Sequence, residues 1–372
     1  MKTVRIAGGT CVIAFVLLPT LARPCASQNV AVDPRPALTL VGTAPDGAPV
    51  FGLVAGAVRL ADGTIVVGDA SSSSLKFFDR RGRLARTAGR HGQGPGEFQL
   101  LRRLMQCGPD SVFALDAFGG RVSVFSASSR FVRQSTLPRG ASVVACSRNG
   151  VLALLKADPA VRPEATAVQR LSATLQLADA SGAGTRDLGS VTAGEIVASG
   201  NGWLPRPGGP DVSIAVGRNR AVACPSDSGA VAAYGLNGVR LPSIPLPGPS
   251  RAPSRRFLER SAETVTSAMP AGAFRDSLRQ RLMRLPPPAT MPPCSKILID
   301  PSGDVWVVLS QPGDSVTSIA VFGDDDHRVG SLTLPAEMEV LEVGLDYLLS
   351  SGETGGGEPW VRMYRVRRTP AH

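Results

Sequence analysis

Ala61-Asp62-Gly63-Thr64-Ile65-Val66-Val67 is a tight Asp-Gly turn running straight into a β-branched apolar strand. Gly accepts the positive φ that such a turn demands, and Ile and Val suit a pleated, buried surface. The unit recurs. Copies begin at Gly108-Pro109-Asp110-Ser111, Ser147-Arg148-Asn149-Gly150, Gly217-Arg218-Asn219-Arg220 and Pro301-Ser302-Gly303-Asp304, each leading into an apolar run, with a worn sixth at Gly344-Leu345-Asp346-Tyr347. After a loop of variable length, each is answered by a second strand with an apolar or aromatic residue near its end: Phe78, Phe125, Leu177, Tyr234, Phe322 and Tyr364.

These six markers are separated by 47, 52, 57, 88 and 42 residues. A four-stranded propeller blade has a period of about 40–50 residues, so the 88 is one unit plus an insertion. Such strands cannot bury both faces alone, and stacking them around an axis is the economical solution. The expected fold is therefore all-β, a six-bladed β-propeller with four antiparallel strands per blade. The last copy ends near Arg368 with no room for a fourth strand, while an unpaired strand, Ala37-Leu38-Thr39-Leu40-Val41, precedes the first copy. That strand is expected to complete the sixth blade and so remove an exposed edge.

Over about residues 35 to 368, the repeated turn and strand pairs, together with Gly92-Gln93-Gly94-Pro95-Gly96-Glu97-Phe98, resemble exported bacterial six-bladed β-propellers related to NHL-repeat proteins. The resemblance implies a fold more firmly than an activity, because one scaffold hosts many functions.

With strands lettered A to D from the axis outward, A-to-B and C-to-D turns emerge on one face, B-to-C and D-to-A connections on the other. The turn face has short links such as Asp62-Gly63, Arg80-Arg81-Gly82 and Asn237-Gly238. The opposite face receives Ser71 to Ser74, the Gly92–Phe98 loop, Lys156 to Gln169, Val191 to Pro210, the insertion at 250–293 and Gly352 to Pro359. Binding residues concentrate in loops on a rigid scaffold, which makes this long-loop face the candidate functional surface. The insertion, between blades four and five, carries the one strong helical pattern. Ser254 is placed to cap a first helix bearing Phe257, Leu258, Ser261 and Val265, Pro270 interrupts, and a second helix aligns Phe274, Leu278, Leu282 and Leu285 on one stripe. A flap packed on the propeller is the favoured outcome; contact with a membrane surface through 254–285 is the less favoured one.

Of the 372 residues, 41 are Gly and 31 Pro, which resists long helices, while 43% are hydrophobic, enough for a sizeable core. Lys2 and Arg5, an apolar run from Ile6 to Leu18 and small residues up to Ser27 form a secretory signal pattern over 1–27, with 28–372 the propeller domain. Cleavage after Ser27 is preferred to cleavage after Ala22. Arg23 and Pro24 before Cys25 argue against lipidation. The expected location is periplasmic or extracellular. The formal charge is +10; losing Lys2, Arg5 and Arg23 with the signal leaves +7. The arginine clusters lack interleaved aromatics, so a solvated face is expected and no nucleic-acid partner. Cys107, Cys146, Cys224 and Cys294 remain, without a C-x-x-C unit. An even number in an oxidising compartment favours disulfides, and Cys107 with Cys146, at equivalent positions of neighbouring blades, is one candidate bridge among the three possible pairings.

No G-x-S-x-G or H-E-x-x-H motif accompanies the three histidines, and the Gly92–Gly96 run lacks the Lys-Ser/Thr of a phosphate-binding loop. Asp324, Asp325 and Asp326 fall at a hairpin tip, where adjacent side chains cannot wrap calcium. The candidate ligand-binding residues are His91, Gln93, Glu97, Phe98, Trp203 and Arg206. The leading expectation is a monomeric binding or scaffold protein that recognises a protein, peptide or glycan without catalysis or cofactor. The alternative is a metal-dependent, lactonase-like hydrolase holding a divalent metal such as calcium at the axial channel through Glu97, Glu195, Asp211 and Glu342.

Overall fold

The structure, a computed structural model, describes residues 28–370 other than 45, 49, 118–119, 139, 158–167, 199–202, 210, 225–228, 247–251, 267–268, 270–271, 311–315 and 336–337. The signal segment expected over 1–27 and Pro270 lie outside the described residues.

The chain begins with β1 (Gln28–Val41) and then lays down six sheets in sequence order. Blade one is β2 (Val54–Arg59), β3 (Ile65–Asp69), β4 (Ser74–Phe78) and β5 (Leu84–Ala88), and blade two is β6 (Leu101–Gln106), β7 (Ser111–Asp116), β8 (Arg121–Ser126) and β9 (Phe131–Thr136). Blade three comprises β10 (Ala141–Cys146), β11 (Leu152–Ala157), β12 (Gln169–Ala178), β13 (Arg186–Ala198) and a short fifth strand, β14 (Trp203–Pro205). Blade four is β15 (Ser213–Val216), β16 (Arg220–Cys224), β17 (Ala230–Gly235) and β18 (Arg240–Pro245). The helices α1 (Arg255–Thr266) and α2 (Ala273–Met283) intervene before blade five: β19 (Cys294–Ile299), β20 (Val305–Leu309), β21 (Val316–Phe322) and β22 (Arg328–Pro335). Blade six is β23 (Glu339–Val343), β24 (Tyr347–Glu353) and β25 (Pro359–Pro370), completed on its outer side by β1.

The repeat read from the sequence is thus the B and C strands of each blade. All six markers are buried between neighbouring sheets, five of them near the end of their C strands and Tyr364 in the middle of β25. The closing strand is longer than expected, starting at Gln28; it pairs antiparallel with β25 from Gln28 opposite Pro370 to Val41 opposite Trp360. Blade three departs from the four-strand rule because β12 and β13 run on past the blade, and their extension leaves an edge that β14 covers.

Both cysteine pairs are bridged. Cys107 bonds Cys146 with Cα atoms 5.5 Å apart, tying blade two to blade three, and Cys224 bonds Cys294 at 6.5 Å, tying blade four to blade five. Arginines make further ties. Arg86 on β5 donates to the Ala127 carbonyl at 3.0 Å, Arg133 on β9 to Ala180 at 2.7 Å and Arg186 on β13 to Leu236 at 2.5 Å. In each case an outer strand clasps the C-to-D turn of the next blade. The Asp324-Asp325-Asp326 tip joins this scheme, since buried Arg220 of blade four pairs with Asp326 and donates to the Gly323 carbonyl at 3.1 Å.

Candidate functional site

Two neighbouring D-to-A connections on the long-loop face are built alike. At the end of β3, the buried Asp69 accepts the Gly52 and Leu53 N–H groups at 3.1 and 3.2 Å, and the Ser71 hydroxyl at 2.6 Å. At the end of β7, buried Asp116 accepts Gln99 N–H at 3.1 Å, Leu100 N–H at 2.9 Å and the Arg121 guanidinium at 2.5 Å. Burial alone would raise the Asp69 carboxyl, but the Ser71 and Ser72 hydroxyls and two backbone N–H groups outweigh it and hold it below the ordinary value. Each aspartate pins the backbone just before an inner strand. The side chains held there, Leu53 and Leu100, are nonetheless 55% and 46% exposed at equivalent positions of adjacent blades.

Past Leu100, β6 carries a bulge between Leu101 and Arg103, and Arg102 and Arg103 both remain exposed. Bulges add a residue to one strand and re-aim its side chains. Arg103 donates to the Val144 carbonyl of blade three, and burial together with the adjacent Arg102 pulls its guanidinium below the usual value. The acids in its field come from across the ring: Asp211, leading into β15, and Glu339, opening β23. Asp211 is itself pushed up by burial, against the pull of the Val212 N–H and Arg103. Arg103 and Asp211 are both solvent-exposed, at the start of inner strands on the long-loop side of the ring. Glu339 is engaged by Lys296 at 2.8 Å. Arg102 has no ion-pair partner among the described residues.

At the opposite, turn-face end, side chains from blades one, three and six meet. Arg148, in the A-to-B turn of blade three, reaches blade six on the far side of the ring, lying 2.9 Å from the Tyr347 hydroxyl and 3.4 Å from Glu342 Oε1. Glu342 Oε2 accepts the Arg59 N–H at 2.7 Å and the Tyr347 hydroxyl at 3.0 Å. Arg59 stacks over the Tyr347 ring at 4.7 Å and pairs with Asp346 at 3.3 Å. Burial pushes the Glu342 carboxyl up to about 7 despite the attraction of Arg148, and burial beside Glu342 also raises the Tyr347 hydroxyl.

The other residues singled out from the sequence occupy separate places. Phe98 is fully buried against Phe125 between blades one and two, so it supplies packing and no ligand surface. Glu97 folds back on its own loop, accepting the Gly94 N–H at 2.8 Å and pairing with Arg90 at 2.7 Å; a Cβ at Gly92 would lie 2.1 Å from Glu97 Oε2. His91 and Gln93 are exposed, and the Gln93 carbonyl accepts Arg121 at 2.5 Å. Glu195 and Arg206 meet at 2.5 Å on blade three beside the helical insertion, next to the bridge between Gly194 and Asp211. Trp203, expected in a loop, stands on β14 and is 41% exposed. The four acids of the metal alternative are not gathered at one point: Glu97 is engaged by Arg90 in its own loop, Glu195 by Arg206 next to the Gly194–Asp211 bridge, and Glu342 stands at the turn-face end of β23. Among the described residues no group of three or more His, Cys, Asp or Glu is placed to hold a metal.

The flap packs as a wall on blade three. Ser254 caps α1 by accepting the Phe257 N–H at 3.2 Å, and Ala262, Leu278 and Leu282 are buried against Val197 of β13, with Leu204 of β14 alongside. The stripe expected on α2 is corrected at its first member. Phe274 is 68% exposed because this core gathers around Leu278 and Leu282, one and two turns further along. Among the described residues no helix is long and apolar enough to cross a membrane.

The comparisons agree with this architecture. Residues 53–154, covering blades one and two and the start of blade three, match the DUF5128 family, described as a 6-bladed beta-propeller. The sequence matches no curated protein. A DUF4221 family member from Bacteroides vulgatus is similar in structure at 8% identity and a TM-score of 0.52, covering 92% of this chain and 99% of its own. A Bacteroides fragilis protein described as a candidate for export is similar at 13% identity and 0.49, covering 91% and 95%. A Bacteroides thetaiotaomicron protein of unknown function is similar at 12% and 0.48, covering 91% and 76%. At such identities likeness speaks to fold. The chain is a six-bladed β-propeller, and its first blades resemble that family in sequence.

Proposed function

We propose that this chain is an exported propeller that binds a protein, peptide or glycan on its long-loop face and performs no catalysis. The observation that carries this reading is the pair Leu53 and Leu100, apolar side chains held toward water by backbones that buried aspartates fix in place. Rigid scaffolds bind well because little order is lost on association. The signal pattern over residues 1–27 and the two interblade disulfides support export to an oxidising compartment. Panning a random peptide library on the immobilised mature chain tests the proposal. Selected peptides should lose binding on a Leu53→Ser, Leu100→Ser double variant and keep it on the turn-face variant Leu345→Ser. The reverse pattern refutes the assignment of the face.

A further inference from the structure

The charge balance at this mouth narrows the ligand class. Arg102, Arg103 and Lys296 face two acids there, Asp211 and Glu339. Glu339 is already shared with Lys296, and Arg102 has no ion-pair partner among the described residues. Adjacent guanidinium groups repel one another, and protein around them keeps water from screening the repulsion fully. The rim therefore holds uncompensated positive charge beside two exposed leucines. An incoming carboxylate gains a paired partner there, and a guanidinium fork matches it in geometry.

We propose that the long-loop mouth of the axial channel receives an acidic peptide segment, its carboxylates on Arg102 and Arg103 and its apolar side chains on Leu53 and Leu100. The proposal rests on the binding reading above and names its partner class. Leu53 and Leu100 favour a peptide over an acidic glycan, because uronate rings bring carboxylates without aliphatic side chains to cover them. Neither arginine is part of the packed core, so both can be replaced in a folded ring.

The experiment is fluorescence anisotropy on the mature chain with three labelled ten-residue peptides in which Leu alternates with Glu, Gln or Lys, and with unlabelled polygalacturonate as competitor. The Leu/Glu peptide should bind, weaken as salt is raised, and lose at least tenfold in affinity on Arg102→Ala, Arg103→Ala. The Lys pair Arg102→Lys, Arg103→Lys should recover part of that loss, and Leu53→Ser, Leu100→Ser should weaken binding while Leu345→Ser leaves it unchanged. Equal affinity for the Leu/Gln peptide, still dependent on Leu53 and Leu100, would overturn the acidic class and leave the face assignment standing. Failure of all three peptides to bind, or complete displacement of the Leu/Glu peptide by polygalacturonate at equal carboxylate concentration, overturns the peptide assignment. Binding of the Leu/Glu peptide that ignores both arginine and leucine substitutions overturns both readings.

Discussion

Glu342 shows what one residue can do when the fold carries it to the axis. Its carboxyl is raised to about 7 in the folded chain against an ordinary value of 4.5, so between these limits the native state holds a proton that the unfolded state has lost. Stability from this group is therefore fully present below about pH 4.5 and falls as pH rises through 7, by an amount on the order of 3 kcal/mol. Urea denaturation at pH 5 and pH 8 should show that fall in the native chain and a smaller one in Glu342→Gln, whose amide still accepts from Arg59 and Tyr347; equal slopes in the two proteins would refute it. Asp116 gives a second test. Asp116→Ala leaves Arg121, mostly buried, without its carboxylate, and denaturation should report a loss of about 3–5 kcal/mol. Neither role was legible in the sequence. The sequence offers Glu342 only as a candidate metal ligand at the axial channel; it stands near the end of β23, and Arg148 meets it from 194 positions away, beyond the reach of any local pattern. The buried aspartates did leave a trace, since Asp69 and Asp116 end equivalent B strands, but one repeat in three bears it clearly.

Elements joined by local turns were read well, and elements joined by side chains less so. Turn residues rich in Gly, Pro and Asp followed by apolar strands announce β3, β7 and β20 because their chemistry is contained within a few residues. β14 escaped notice because it exists to cover an edge created by the long β12 and β13 hairpin. Phe274 fitted the helical period, yet period says nothing about how far the supporting surface extends. The arginine clusters read as a solvated face in the sequence; in the structure Arg86, Arg133 and Arg186 are clasps at the same step of three successive blades. The disulfides act at the same joints. Closing the 39-residue separation between Cys107 and Cys146 restricts the unfolded chain by about 3–4 kcal/mol, so the double alanine variant should lose that much in chemical denaturation, provided the other bridge stays intact.

At the scale of the whole molecule, ring closure rests on β1. Val30 and Leu40 are buried in the clusters on either side of blade six, and without them β25 becomes an open edge. Deleting residues 28–45 should lower the thermal midpoint markedly and broaden the transition; an unchanged midpoint would sink the closure. The closure also sets an order of events. Within the ring β1 precedes and β25 follows every other strand, so the first strand waits through the synthesis of every other blade before its partner exists. Contacts of such separation are slow to form, and until then the chain carries an unpaired strand that another chain could bind. A chain cut short before Pro359 would hold five blades and a waiting strand, set apart from the finished ring by one open seam.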